Sequence, residues 1–233
     1  MKIKFLFIFF ISLFAIKLSN AHALWIETEA KGTINQTHSL KVFYGEYAEG
    51  LIDPIDKWYS NVKDFEIVLI SPTGMKKTLD KTAAGDHYNS EFTATEKGTY
   101  TISITQPAKE PYETMRFEFS SIAFVTVSEQ KTAKLDIPFY VEAKTDGVKS
   151  GSEVEITVYS KGNIAPDTEV IIMGPEGWTK TVSSDSNGKA KFKAITSGKY
   201  IIEASSTEEK TEEWEGKKIE KIWRGTTTAL FIK

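Results

Sequence analysis

The chain has 233 residues, a formal charge of −3 and no cysteine. The missing thiols exclude disulfides, thiolate metal sites and a lipid-modified N-terminal cysteine. A mildly acidic chain without a basic run argues against nucleic acid as a partner.

Lys2 and Lys4 precede an uncharged twelve-residue run, FLFIFFISLFAI (5–16), which Lys17 closes. A basic start, an apolar stretch and small residues beyond it predict a secretory signal peptide. The run is too short to span a bilayer, which takes about 20 residues. Signal peptidase favours small side chains at the −3 and −1 positions. A cut after Ala21 leaves His22 first, and a cut after Ala23 leaves Leu24 first. The earlier cut lies nearer the apolar run and defines the predicted signal peptide, 1–21. Its removal takes three lysines and brings the formal charge from −3 to −6. The expected product is exported, periplasmic or at the cell surface, with no transmembrane segment.

Beyond residue 21 the pattern alternates apolar with polar residues in short runs broken by turn residues, which predicts strands. In chain order they are SLKVFYG (39–45), DFEIVLI (64–70), GTYTISIT (98–105) and SIAFVTVS (121–128). SEVEITVYS (152–160), TEVIIMG (168–174), GKYIIEA (198–204) and TTTALFI (226–232) follow. The charge-dense STEEKTEEWEGKKIEKIW (206–223) reads as an exposed hairpin with solvated faces. SDSNGK (184–189) lacks the spacing and final glutamate of a calcium loop and reads as an Asx-type turn.

An internal repeat sets the domain count. SPTGMKKT (71–78) parallels GPEGWTKT (174–181), and FTATEKGTYTI (92–102) parallels FKAITSGKYII (192–202). Two copies of one plan predict an all-β protein of two tandem immunoglobulin-like antiparallel sandwiches, 22–128 and 129–233. Between the repeated segments the first copy is three residues longer, 14 from Thr78 to Phe92 against 11 from Thr181 to Phe192. His87 lies in the extra length, and loops are where scaffolds carry sites.

His22, His38 and His87 are the three histidines, all in the first predicted domain. A processed His22 would offer its α-amine and Nδ1 to one ion, and a second imidazole would complete a three-nitrogen site. Such donors suit copper, nickel, cobalt or zinc, and a tetragonal nitrogen site favours copper or nickel. His87 is the first choice for that imidazole and His38 the second, although His38, beside polar NQT, reads as surface. The acidic stretch GEYAEGLIDPID (45–56) holds Glu46, Glu49, Asp53 and Asp56, carboxylates able to ligate or to orient an imidazole. Five tryptophans suggest either sugar-stacking surfaces or core packing. No nucleophile elbow or phosphate-binding glycine loop is present, so no enzyme activity is expected.

AHALWIET (21–28) followed by VFYGEYAEG (42–50) resembles the exported DUF4198 family, which includes NikM-like periplasmic components associated with cobalt or nickel uptake. The likeness extends through VKDFEIVLISPTG (62–74) and PEGWTKTVSSDSNGKAKFKAITSGKY (175–200). It implies a transition-metal-binding protein accessory to a membrane metal transporter, with nickel, cobalt or copper held by His22. On that reading His87 supplies the third nitrogen, Glu46 an outer-sphere carboxylate, and the second domain is a spacer or docking module. Two other readings stay open: an adhesion or carbohydrate-binding surface protein without metal, and a histidine-brace copper oxidative enzyme.

Overall fold

The computed structural model describes residues 22–144 and 148–233. The predicted signal peptide lies outside the described residues. No helix among them is long and apolar enough to cross a membrane.

The first unit contains β1 (Ala23–Thr28), β2 (Thr37–Glu46), β3 (Ile67–Ile70), β4 (Lys76–Leu79), β5 (His87–Thr93), β6 (Gly98–Pro107) and β7 (Met115–Val127). Period-two patterning builds it: Leu40, Val42 and Tyr44 of β2 enter the first core, while Phe43 between them points the other way. One sheet runs β1-β2-β5; the other begins β7-β6-β3-β4. The second unit contains β8 (Phe139–Ala143), β9 (Glu153–Ser160), β10 (Glu169–Met173), β11 (Thr179–Ser183), β12 (Lys189–Lys193), β13 (Gly198–Trp214) and β14 (Lys217–Ile232). It repeats the plan, with β9 pairing both β8 and β12, and with the order β14-β13-β10-β11.

The two repeated motifs meet in space in each unit. Both Gly98 (φ 128°) and Gly198 (φ 134°) adopt a backbone that disfavours a side chain, and a Cβ at either would run into the ring of Pro72 or Pro175 respectively. Two residues on, the Tyr100 hydroxyl accepts from the Thr95 and Glu96 amides, and Tyr200 does the same for Thr196. Phe92 and Phe192 pack on these tyrosines at 5.4 and 5.6 Å. Pro-x-Gly turn and Gly-x-Tyr strand therefore form one clasp, used twice. In SDSNGK the Asp185 carboxylate accepts from the Asn187 and Lys189 amides at 2.8 and 2.9 Å, an Asx turn.

The units do not sit as separate beads. β7 pairs β14 in parallel from Met115↔Lys221 to Ser121↔Thr227, so one sheet continues through both units as β11-β10-β13-β14-β7-β6-β3-β4. The parallel join departs from the antiparallel expectation for a geometric reason. Copies laid edge to edge about an axis along the strands present the same edge strand running the same way. That operation also turns the sheet over, so the two smaller sheets cover opposite faces. Trp25 and Phe43 of the first unit pack on Met173 and Ile201 of the second. Reciprocally, Ile70 and Ile122 pack on Ile137 and Tyr140. Each aromatic buries about 150–250 Å², so at ~25 cal/mol/Å² Trp25 and Phe43 each contribute roughly 4–6 kcal/mol before conformational entropy is charged.

The hairpin of β13 and β14 is longer than its apolar segments suggested and is not solvated on both faces. Ile219 and Ile222 are fully buried. Trp214 donates to the Ala108 carbonyl at 2.9 Å and lies beneath the Arg116 guanidinium. Arg224 bridges Glu118 at 3.1 Å and Glu208 at 2.7 Å, and Arg116 reaches Glu212 at 3.1 Å. The alternating charges thus form a ladder tying the second unit's hairpin to β7.

Candidate functional site

His22 precedes β1, at the end of the sheet where β2 finishes and the acidic stretch begins. Gly45 allows the turn, because a Cβ there would collide with the Leu51 carbonyl oxygen. The chain then folds back so that Leu51–Ile52 pairs with Gly45–Glu46, and the Asp53 amide donates to the Tyr44 carbonyl at 3.0 Å. Trp58 anchors the return by donating to the Asp53 carbonyl at 3.0 Å, its own ring 4% exposed in the first core. Glu46 and Asp53, seven residues apart in sequence, are thereby placed on either side of one imidazole.

His22 Nδ1 lies 3.3 Å from Glu46 Oε1, and Nε2 lies 3.2 Å from Asp53 Oδ2. The ring packs on Tyr44, centroids 5.2 Å apart. Burial pushes the Glu46 carboxyl up from its ordinary value; His22 opposes this, and Glu49, close enough to share a hydrogen bond, adds to it. Burial first, then the Asp53 charge, drives the Tyr44 phenol far above its usual range, so it stays a neutral hydroxyl.

His87 does not join this group. Its Nδ1 bonds Asp86 at 2.6 Å and its ring packs on Phe43 at 5.1 Å, whereas His22 packs on Tyr44. Neighbouring residues on a strand face opposite sides of the sheet, so the two imidazoles are separated by the sheet itself. The expected pairing of His22 with His87 is therefore replaced by pairing of His22 with Glu46 and Asp53. His38 is at the far end of β2, its Nε2 facing the backbone of Thr33 at 3.1 Å from the amide. Among the described residues no group of three or more His, Asp or Glu side chains is arranged to hold an ion.

Beside His22 opens a cleft of about 830 Å³, lined by Tyr44, Asp53 and Tyr59 on one wall and by Phe117, Phe119 and Trp223 below. Of these, sequence reading singled out Asp53 as a carboxylate and Trp223 as one of the tryptophans, but passed over Phe117 and Phe119. Their signal was the alternation of Phe117 and Phe119 at the start of a long strand, where Phe119 still enters the first core and Phe117 packs at its edge. The other tryptophans are structural: Trp25 and Trp58 are buried, Trp178 packs on Tyr200, and Trp214 sits under Arg116.

Fold and site together define a two-unit β-sandwich protein with a fused central sheet and a histidine–carboxylate cluster at the open end of its first unit. The chain belongs to the DUF4198 family, described as a domain of unknown function, whose model matches residues 19–208. It is also similar to the serine-aspartate repeat-containing protein F of Staphylococcus epidermidis, 26% identical over 215 residues, covering 75% of this chain. The chain spans 12% of that protein's length.

Proposed function

We propose that the protein is an exported binder of a transition-metal ion, held by the processed amino end at His22. The observation that carries this reading is the 3.3 Å separation of His22 Nδ1 and Glu46 Oε1. An imidazole nitrogen and a carboxylate oxygen bound to one ion at about 2.0–2.2 Å keep a comparable distance. If signal peptidase cuts after Ala21, the α-amine adds a third donor and closes a chelate with Nδ1. Asp53 at Nε2 then takes the place of the outer carboxylate that fixes ring orientation and raises imidazole basicity. Side chains alone supply too few convergent donors, so the site depends on proteolysis. The donor set of two nitrogens and one oxygen suits copper or nickel, and cobalt less strongly. The resemblance drawn from AHALWIET and VFYGEYAEG motivates an accessory role beside a membrane transporter.

The test compares a chain beginning at His22 with the same chain acetylated at its amino end, each titrated calorimetrically with Cu(II), Ni(II), Co(II) and Zn(II). The free-amine chain is expected to bind at least about tenfold more tightly, a difference of about 1.4 kcal/mol. Equal affinities for every metal would remove the reading.

A further inference from the structure

We infer that the cleft beside His22 is a binding site for a neutral pyranose-containing saccharide. This inference stands apart from the metal reading, because it rests on the aromatic floor and the charge balance of the rim.

The floor is a built aromatic surface. A Cβ at position 225 would run into the indole of Trp223, so glycine there lets that ring lie down along the sheet. Phe117 and Phe119 hold it edge-on at 5.6 and 5.9 Å, with interplanar angles of 68° and 63°. Tyr59 closes the side, edge-on to Phe117 at 6.1 Å, its hydroxyl donating to the Glu110 carbonyl. Trp223 and Phe117 are only half-buried, so ring surface is left facing the cleft. Tyr112 stands at the mouth, 65% exposed. Apolar surface gathered in one cleft, rather than scattered singly, marks a site of interaction.

Charge decides the ligand class. The rim carries two carboxylates, Asp53 and Glu113, and two ammonium groups, Lys57 and Lys221. Three of the four already face an opposite charge: Asp53 faces His22 at 3.2 Å, Lys57 faces Asp56 at 3.6 Å, and Lys221 faces Glu209 at 3.0 Å. A rim of balanced charge, with both lysines already engaged, favours a neutral ligand over a phosphate or an organic cation. Paired carboxylates and ammonium groups nevertheless keep spare acceptors and donors. A flat apolar face ringed by such groups matches a pyranose, whose axial C–H face is apolar and whose edge is all hydroxyl. The volume falls within the usual small-ligand range of about 300–1,000 Å³.

Cellohexaose, chitohexaose, maltohexaose and mannohexaose serve as probes, read by calorimetry and tryptophan fluorescence on the full chain in EDTA. At least one is expected to bind with a Kd below about 1 mM and to change the emission. Trp223→Ala should weaken that binding about tenfold or more. Tyr112→Ala, at an exposed position, should weaken it several-fold with an unchanged melting temperature. Should Trp223→Ala not fold, Tyr112→Ala and Lys57→Ala decide. Binding by none of the four, or binding equal in all variants, overturns the inference. So does binding seen only when the chelator is replaced by metal. Metal titration of the same samples is a separate readout, so failure of one proposal leaves the other standing or falling by itself.

Discussion

Glu203 offers the sharpest test of the fused architecture. It lies on β13 opposite Ile171 and Thr227, on the face that receives the first unit, and it is 4% exposed. Thr227 donates to the Leu24 carbonyl, so β1 covers this face. Burial, reinforced by Glu169, pushes the Glu203 carboxyl up from 4.5 to about 8. The folded state therefore holds a proton that the unfolded chain releases near pH 4.5. The stability this confers is fully present below pH 4.5 and is lost as pH rises through about 8. At about 1.4 kcal/mol per tenfold, the loss between pH 5 and 8 amounts to roughly 3 kcal/mol. We predict that Glu203→Gln, neutral at every pH, removes that slope. Its stability relative to the native chain should rise by about 3 kcal/mol across the window, or about 6–12 °C in melting temperature for a chain of this size. Urea denaturation at pH 5, 6, 7 and 8 on both proteins isolates the effect, because all other titrating groups cancel in the difference. Parallel pH profiles would show that Glu203 is hydrated or paired when ionised, and that the interface is not closed over it.

Three further outcomes are expected. Glu46→Gln and Asp53→Asn should each lower metal affinity about 10–100-fold in the chain beginning at His22, whereas His87→Ala should leave it unchanged; calorimetric titration reads all three. Gly98→Ala and Gly198→Ala should each cost about 2 kcal/mol or more, since both strain a positive φ and strike a proline ring, and similar losses in urea melts would show the two clasps to be equivalent. Arg224→Met should cost about 2 kcal/mol, less than the 3–5 of a fully buried pair because Glu208 is 37% exposed, and added salt should narrow the difference.

What the sequence disclosed and what it hid have a common physical origin. Alternation and turn chemistry are local, so the strands and the Pro/Gly/Tyr repeat were readable one segment at a time. The parallel join of β7 to β14 links residues about a hundred positions apart and leaves no local mark. For the same reason the charged stretch 206–223 resembled a solvated hairpin, although its Glu212 is the partner of Arg116 and Arg224, the residue that follows it, is the partner of Glu118. The choice of His87 rested on loop length, which says nothing about which face a side chain takes. Parity held the answer: Tyr88 and Phe92 belong to the first core, so His87 must point away from it. Asp53 was visible as one carboxylate among four, but only the fold-back at Gly45 singles it out.

The join also changes the standing of the second unit, which is more than a spacer. Phe117 and Phe119 come from β7, while Trp223 comes from β14, so the cleft floor exists only where the two strands pair. A truncated chain of residues 22–128 would lose Trp223, expose Trp25 and Phe43 on its outer face, and leave β7 as an unpaired edge. Exposed apolar faces and open edges drive association. We predict that this fragment aggregates or fails to melt cooperatively, as judged by size exclusion and circular dichroism. A soluble monomeric fragment melting near the full chain would mean that the join is incidental to the fold. The first unit's outer face would then have to be stable in water, which burial of Trp25 at 0% exposure argues against.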